Sequence, residues 1–260
     1  MILLDPFARP VIGHRGNRAH APENTIPSFL EAVRLGVDAI ELGVQVSRDN
    51  QLMVIHDATV DRTTEGSGRV ADMTANELRR LDAGARFTRD GTAFPWRSRG
   101  AGIATFDEVV DALPDDLPLI VELKTPRASA LVKEAIARRG MAARVIVAGF
   151  DERSTLPLRG RGIALGASNA DVVRLLLPAI LGRRVSEVPV QSLCIPRRFR
   201  GVPLPLGALL RVVKPHGVTM HIWTVNQVEE AKKLWSRGVN GIITDDPGLI
   251  LAGRASVECG

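Results

Sequence analysis

The sequence has 260 residues, of which 45% are hydrophobic and 24% are charged, and its formal net charge is +5. This length accommodates one large α/β barrel, and the positive charge favours anionic substrates. Aromatic residues make up only 4% of the chain and tyrosine is absent, which argues against a nucleic-acid stacking surface.

Neither a membrane span nor a secretory signal is recognisable in the sequence. Every apolar window is shorter than the roughly 18 residues of a membrane helix, and the first residues lack the basic start of a signal peptide. The two cysteines, Cys194 and Cys259, lack the spacing of a zinc site and are expected to remain unpaired. A cytoplasmic location is therefore expected, whereas the oligomeric state does not follow from the sequence.

The chain begins with a strand, a helix and a second strand. Residues 10–14 and 38–47 have the apolar character of strands, and residues 25–35 have a helical pattern that ends at Gly36. Residues 52–56 follow the second strand too closely for a helical crossover. We therefore interpret them as a segment that turns back along that strand.

Residues 59–104 interrupt the alternation of strands and helices. They contain one predicted helix, residues 74–81, for which Thr74 and Glu77 form a capping box. The rest is rich in Gly, Arg and Thr. Because both ends of this segment join core elements, we predict a small insertion on the active-site face.

From residue 105 onward, helices and strands alternate again. The whole chain, residues 1–260, then contains about eight crossover units, which favour a single (β/α)8 TIM barrel domain over a doubly wound sheet. The first strand also lacks the Gly-rich dinucleotide pattern of the doubly wound fold. The later strands are predicted at residues 117–124, 144–150, 162–167, 188–195, 218–225 and 241–244. The later helices are predicted at residues 105–112, 129–139, 151–161, 170–181, 206–215, 227–237 and 247–252.

Two histidines stand at the ends of predicted strands, where the active site of a barrel lies. His14 precedes Arg15, and His56 precedes Asp57. Imidazole titrates near neutral pH, so the pair suits general acid and base catalysis, although each could simply satisfy a buried hydrogen bond. The other three, His20, His216 and His221, are interpreted as structural.

Charged residues follow the same strand ends. Arg15 and Lys124 suit a phosphate group, and Glu41 and Glu122 suit a hard cation such as Mg²⁺ or Ca²⁺. Each has an alternative, because Arg15 could pair with Glu23, and Lys124 could pair with Glu122. Strand alternation nevertheless points both glutamates into the barrel, where an ionised carboxylate needs a positive partner.

An aromatic residue, Trp223, lies in a later predicted strand. It could form one apolar wall of the pocket, or it could be ordinary core. Asp57 and the polar residues at 61–68 are expected to pack beside His56.

These motifs together resemble the glycerophosphodiester phosphodiesterase family over nearly the whole chain. The first two carry most of the resemblance through their spacing, and the last supports it. The motifs are His14-Arg15-Gly16 with Pro22-Glu23-Asn24-Thr25, Ile40-Glu41-Leu42, His56-Asp57, Val121-Glu122-Leu123-Lys124 and Trp223-Thr224-Val225-Asn226.

The resemblance implies a TIM barrel that hydrolyses glycerophosphodiesters to glycerol 3-phosphate and an alcohol, and lysophospholipids are a further candidate class of substrate. In the mechanism it implies, the glycerol 2-hydroxyl attacks phosphorus, one histidine protonates the leaving alcohol, and water opens the cyclic phosphate. The residues it implies are His14 and His56 for acid and base catalysis, Arg15, Lys124 and Trp223 for the substrate, and Glu41 and Glu122 for a divalent cation.

One position departs from the family pattern. The family has Glu-x-Asp in its second strand, whereas this chain has Glu41-Leu42-Gly43 and so lacks one of three expected metal ligands. Water could fill the gap and leave a weaker site, or Glu23 or Asp57 could replace the ligand.

The cation site could also be lost altogether. The alternatives to a metal-dependent enzyme are therefore a metal-independent phosphodiesterase of the phospholipase C type and a catalytically impaired barrel that only binds phosphodiesters.

Overall fold

The computed structural model describes residues 1–199 and 201–258. Cys194 is a free thiol, whereas Cys259, for which we also expected no disulfide, lies outside the described residues. The strands are β1 (Val11–His14), β2 (Ala39–Val46), β3 (Leu52–Val54), β4 (Leu119–Leu123), β5 (Val145–Ala148), β6 (Ala164–Leu165), β7 (Ser192–Pro196), β8 (Arg198–Phe199), β9 (Val202–Pro203), β10 (Thr219–Trp223) and β11 (Gly241–Thr244). The α-helices are α1 (Ile26–Leu35), α2 (Ala75–Arg79), α3 (Phe106–Ala112), α4 (Ala128–Arg138), α5 (Glu152–Thr155), α6 (Asn169–Ile180), α7 (Leu206–Val213), α8 (Val228–Ser236) and α9 (Pro247–Glu258).

Eight parallel strands form the barrel, in the order β6-β5-β4-β2-β1-β11-β10-β7. The two outer strands of this series meet, because the Ala167 amide donates to the Ser192 carbonyl at 2.9 Å and the Gln191 amide donates to the Leu165 carbonyl at 3.0 Å. The predicted TIM barrel is therefore confirmed.

Alternating side chains divide the apolar residues between two layers. On β2, Ile40, Leu42 and Val44 pack outward against the helices, in one large cluster. Inside the barrel, a smaller cluster fills the lower half and includes Ile12, Ile120 and other strand residues. The polar residues that point into the barrel lie above this apolar cluster, at the carboxyl ends of the strands.

The N-terminal turn closes the floor of the barrel. The Leu3 carbonyl accepts hydrogen bonds from His221 Nε2 and from Thr219 Oγ1, each at 2.9 Å. Burial lowers the pKa of His221 to about 4, so this imidazole is neutral and donates to the carbonyl. His221 is thus part of the floor, and the chemistry is left to the opposite end.

The segment after β2 forms an excursion on the active-site face. Strand β3 pairs antiparallel with β2, with Val44 opposite Val54, as expected for a segment that turns back. The following residues have a small apolar cluster of their own, which includes Val60 and Leu78. Trp96 Nε1 donates to the His20 carbonyl at 3.0 Å, which fastens this excursion to the loop after β1.

Three local features differ from what the sequence predicted. Strand β7 begins at Ser192 rather than at residue 188, and the predicted start contains Pro189, which has no amide hydrogen for the ladder. Helix α9 continues to Glu258, past the predicted end at residue 252. Gly253 within it packs closely, since a Cβ there would lie 2.3 Å from Val228 Cγ1. The short hairpin of β8 and β9 was not predicted at all.

Candidate active site

A cavity of about 80 Å³ opens at the carboxyl ends of the barrel strands. Its wall brings together residues that are far apart in the sequence, from β1, β2, β4, β10 and the loops after β1 and β3. The predicted site residues that line it are His14, Arg15, Glu41, His56, Glu122 and Trp223.

His14 ends β1, and the turn after it is tightly wound. Arg15 has a φ of +56°, in the left-handed region, and Gly16 has a φ of +94°. A side chain at Gly16 would clash, since a Cβ there would lie 2.4 Å from Ser28 Oγ. This turn lets the Arg15 amide donate to the Glu41 carbonyl at 2.8 Å, which joins the two strands above the last ladder pair.

The imidazole of His14 is held by a carboxylate that the sequence analysis missed. His14 Nδ1 lies 2.6 Å from Asp245 Oδ1, just after β11. Burial alone would raise the pKa of Asp245, but hydrogen bonds from His14 and Asn226 and the charge of Arg18 lower it to about 2. An ionised carboxylate can only accept, so His14 donates through Nδ1, and its Nε2 takes no part in this hydrogen bond.

His56 has a similar arrangement with its neighbour. Its Nδ1 lies 2.6 Å from Asp57 Oδ1, and Asp57 Oδ2 accepts from Arg62 Nε at 2.6 Å. Burial and the charge of Lys124 lower the pKa of His56, despite the opposing hydrogen bond to Asp57. His56 is therefore neutral at neutral pH, and a neutral imidazole can accept a proton.

Arg15 is anchored by Glu23. Its NH1 donates to Glu23 Oε1 at 2.7 Å, and the same carboxylate also pairs with Arg18 and Arg62. Burial would raise the pKa of Glu23, but these three guanidinium groups hold it well below its usual range. Among the described residues, Arg15 Nε is buried and has no hydrogen-bond partner. The Arg15–Glu23 ion pair, which the sequence left open, is thus present, and it leaves part of the guanidinium unused.

Aromatic side chains form the apolar side of the cavity. Trp223 Nε1 donates to the Cys194 carbonyl at 3.1 Å, which fixes the indole, and its ring lies 5.7 Å from that of Phe150. Phe150 is 43% exposed at the mouth. Lys124 Nζ lies 5.5 Å from the centre of the Phe150 ring, so the cationic and apolar sides meet there.

The sequence profile of the glycerophosphoryl diester phosphodiesterase family matches residues 14–249. The chain belongs to this family. The predicted resemblance is thereby confirmed, since the match includes every residue that we placed in the site.

Known proteins of the glycerophosphodiester phosphodiesterase family are similar to this chain over almost their whole length. The chain is 35% identical, over 93% of its own length and 96% of the relative, to a glycerophosphodiester phosphodiesterase of Caldanaerobacter subterraneus. Its fold is similar to the glycerophosphoryl diester phosphodiesterase domain of a Mycobacterium tuberculosis protein, with a TM-score of 0.80, 23% identity, and 96% and 99% of the two chains covered. A phosphodiesterase of Oleispira antarctica, solved with the product sn-glycerol-3-phosphate, has a TM-score of 0.75, 23% identity, and 96% and 98% coverage.

The family resemblance implies a divalent cation. The surroundings of Glu41 and Glu122 show whether these two carboxylates suit such an ion. Burial raises the pKa of Glu41, and the charge of nearby Glu122 raises it further, so the two carboxylates repel each other. Within the described part of the chain, Glu122 Oε1 is buried and lacks a hydrogen-bond partner. Both observations fit a positive ion between the two groups.

The ligand set is nevertheless smaller than the family pattern. Over residues 1–199 and 201–258, no three His, Cys, Asp or Glu side chains are grouped as metal ligands. Glu23 and Asp57, the two candidates to replace the ligand missing at Gly43, are each paired with an arginine.

The remaining histidines lie outside this cavity. His20 Nε2 is 3.2 Å from Asp246 Oδ2, and His216 is exposed at the end of α7.

In the described parts of the chain, no helix is long and apolar enough to cross a membrane.

Proposed function

We propose that this glycerophosphodiester phosphodiesterase hydrolyses glycerophosphodiesters to glycerol 3-phosphate and an alcohol, by two-histidine catalysis assisted by a divalent cation. The observation that carries the proposal is the pair of histidines on one cavity, each with its Nδ1 hydrogen-bonded to a carboxylate at 2.6 Å. Both imidazoles can therefore present Nε2 to a substrate in a fixed orientation.

The two histidines divide the proton transfers between them. His56, which is neutral, accepts the proton of the glycerol 2-hydroxyl as its oxygen attacks phosphorus. His14 donates a proton from Nε2 to the leaving alcohol as its P–O bond breaks, and Asp245 stabilises the imidazolium before that transfer. Water then opens the cyclic phosphate with the roles reversed, which yields glycerol 3-phosphate.

Charged groups stabilise the phosphoryl oxygens during both steps. The guanidinium of Arg15 and the ammonium of Lys124 supply fixed positive charge beside the cavity. A divalent cation held by Glu41 and Glu122 would supply Lewis-acid stabilisation of the same oxygens. Trp223 forms the apolar wall against which the glycerol or the alcohol group packs.

One contact favours a second candidate, a metal-independent phosphodiesterase. Lys124 Nζ lies 2.5 Å from Glu122 Oε2, so an internal cation already pairs with a proposed metal ligand. In this alternative, Arg15 and Lys124 alone neutralise the phosphate.

Hydrolysis of glycerophosphocholine by the purified protein tests these functions. The proposed function predicts release of glycerol 3-phosphate, loss of activity with a chelator and recovery with Mg²⁺. His14→Asn and His56→Asn should each lower kcat by about 10²- to 10⁴-fold, the contribution of one acid–base group. Turnover that survives the chelator selects the metal-independent enzyme, and binding of glycerophosphocholine without turnover selects the impaired barrel.

A further inference from the structure

The space left by Gly43 is filled by another residue of the site. Gly43 lies on β2 directly opposite Glu122 on β4. A Cβ placed on Gly43 would lie 3.0 Å from Lys124 Cε, closer than two such atoms normally pack. The Lys124 side chain therefore occupies the position from which a family carboxylate would project.

This placement brings the Lys124 ammonium onto a single carboxylate oxygen. The Nζ–Oε2 distance to Glu122 is 2.5 Å, and both side chains are largely buried, at 9% and 14% exposure. In the described structure the other oxygen, Oε1, is buried without a hydrogen-bond partner. One oxygen of Glu122 thus pairs with the Lys124 ammonium, and the other is available to a divalent cation.

We propose that Lys124 competes with the divalent cation for Glu122, and that the phosphate of the substrate relieves this competition. The inference rests on the proposed function, because it concerns the same cation and the same phosphate. An ammonium and a divalent ion on one carboxylate repel each other at short range. A bound phosphate adds negative charge that pairs with the ammonium and draws it from Glu122.

Cation binding and phosphate binding are then cooperative. The free enzyme binds the cation weakly, because Lys124 holds Glu122 and Gly43 contributes no ligand. The phosphate-bound enzyme binds it more tightly, and by linkage the cation strengthens phosphate binding by the same factor. The missing carboxylate at position 43 thus makes the cation site depend on the substrate.

The experiment measures cation affinity directly, with Mn²⁺ as the probe and sn-glycerol 3-phosphate as the phosphate. Free Mn²⁺ is followed by electron paramagnetic resonance, and a protein-free titration corrects for its binding to the phosphate. We expect the phosphate to lower the Kd of wild type for Mn²⁺ about fivefold or more, the lower end of measured couplings. Lys124→Met should bind Mn²⁺ tightly without phosphate, and its Kd should change less than about twofold when phosphate is added.

Two further variants separate this effect from a general disturbance. Lys133→Met removes an exposed lysine of α4 and should behave as wild type. Gly43→Ala adds only a methyl group against Lys124 Cε, so it should loosen the ammonium contact and tighten Mn²⁺ binding without phosphate. It also keeps the proposal testable if Lys124→Met does not fold.

The outcomes distinguish the inference from the proposed function. Equal Mn²⁺ affinity with and without the phosphate, or weaker binding by Lys124→Met and Gly43→Ala, would overturn the inference alone. If Mn²⁺ does not bind under any condition, the cation is lost from the proposed function and the inference falls with it. Turnover of glycerophosphocholine is measured separately. If the wild-type protein shows no turnover, the proposed enzyme activity is rejected, and the Mn²⁺-binding result is unaffected.

Discussion

Asp245 Oδ1 lies 2.6 Å from Nδ1 of His14, so the loop after the last barrel strand orients a side chain of the first. The two residues are 231 positions apart in sequence, and they meet because β1 pairs with β11 in the barrel. Asp245 also accepts from Asn226 Nδ2 at 3.0 Å and pairs with Arg18 at 3.2 Å. These contacts hold the Asp245 carboxylate in place, so it can hold the His14 imidazole in one orientation.

Asp245→Asn should impair catalysis more than binding. An amide lacks the negative charge that stabilises the imidazolium, and it can favour the wrong tautomer of His14. We expect kcat for glycerophosphocholine to fall by about 10- to 100-fold or more, the usual effect of losing an orienting partner, with little change in KM. Asp246→Asn is the matched control, because Asp246 contacts His20 and not His14. Equal losses in the two variants would contradict the role given to Asp245.

The ionisation of His56 should depend on Lys124. Burial is the largest cause that lowers the pKa of His56, and the charge of Lys124 lowers it further. We expect an NMR titration to place the His56 pKa below the ordinary value of about 6.5. In Lys124→Met the pKa should rise, because the nearby positive charge is gone while the imidazole stays buried. The acid limb of kcat/KM should move to higher pH in the same variant. An unchanged or lower His56 pKa would show that Lys124 does not control it.

Gly43→Asp should reduce the Mg²⁺ requirement. It restores a carboxylate beside Glu41 and Glu122, and Lys124 Cε must move from the space that the new side chain needs. We expect the Mg²⁺ concentration for half-maximal activity to fall about tenfold or more, in keeping with the effect of ligand charge on such sites. Gly43→Asn, which has nearly the same volume but no charge, is the control. If the two variants need the same Mg²⁺ concentration, then position 43 does not contribute a ligand.

His221 should make the fold sensitive to acid. Its folded pKa of about 4 lies below the ordinary value, so the unfolded chain takes up a proton at a pH where the folded chain does not. Stability is thus retained above about pH 6.5 and lost as the pH falls toward 4. Between pH 6.5 and 5 the free energy of unfolding should fall by about 1.5 kcal/mol from this group.

Urea denaturation at these two pH values measures the loss. His221→Gln keeps a donor for the Leu3 carbonyl but cannot take up a proton, so its stability should change less over this range. The difference between the two proteins removes the contribution of other acidic and basic groups. A variant with the same pH dependence as wild type would rule out His221 as the cause.

Local signals in the sequence predicted most of the fold. Thr74 caps the helix that follows it, because its side-chain oxygen accepts a backbone amide that the helix leaves unpaired. Gly36 ends α1 with a φ of +84°. The order of strands followed from their alternation with helices, since a parallel strand requires a crossover.

The site was only partly predictable, because its polar contacts are made across the barrel. Asp245 follows a barrel strand just as His14 does, so the same argument from strand ends could have found it. The position of Lys124 could not be predicted, because it depends on the space that Gly43 leaves on the neighbouring strand. Pairing of Arg15 with Glu23, which the sequence left open, likewise follows from the turn after β1.

The two histidines have different origins in the folding of the chain. His56 and Asp57 are adjacent, and they follow a hairpin of β2 and β3 that can form from local contacts. His14 and Asp245 meet only after β1 and β11 pair, which requires closure of almost the entire chain as one loop. Contacts between residues this distant in sequence form slowly. During refolding, recovery of turnover therefore reports the moment at which the barrel closes, later than the appearance of its helices.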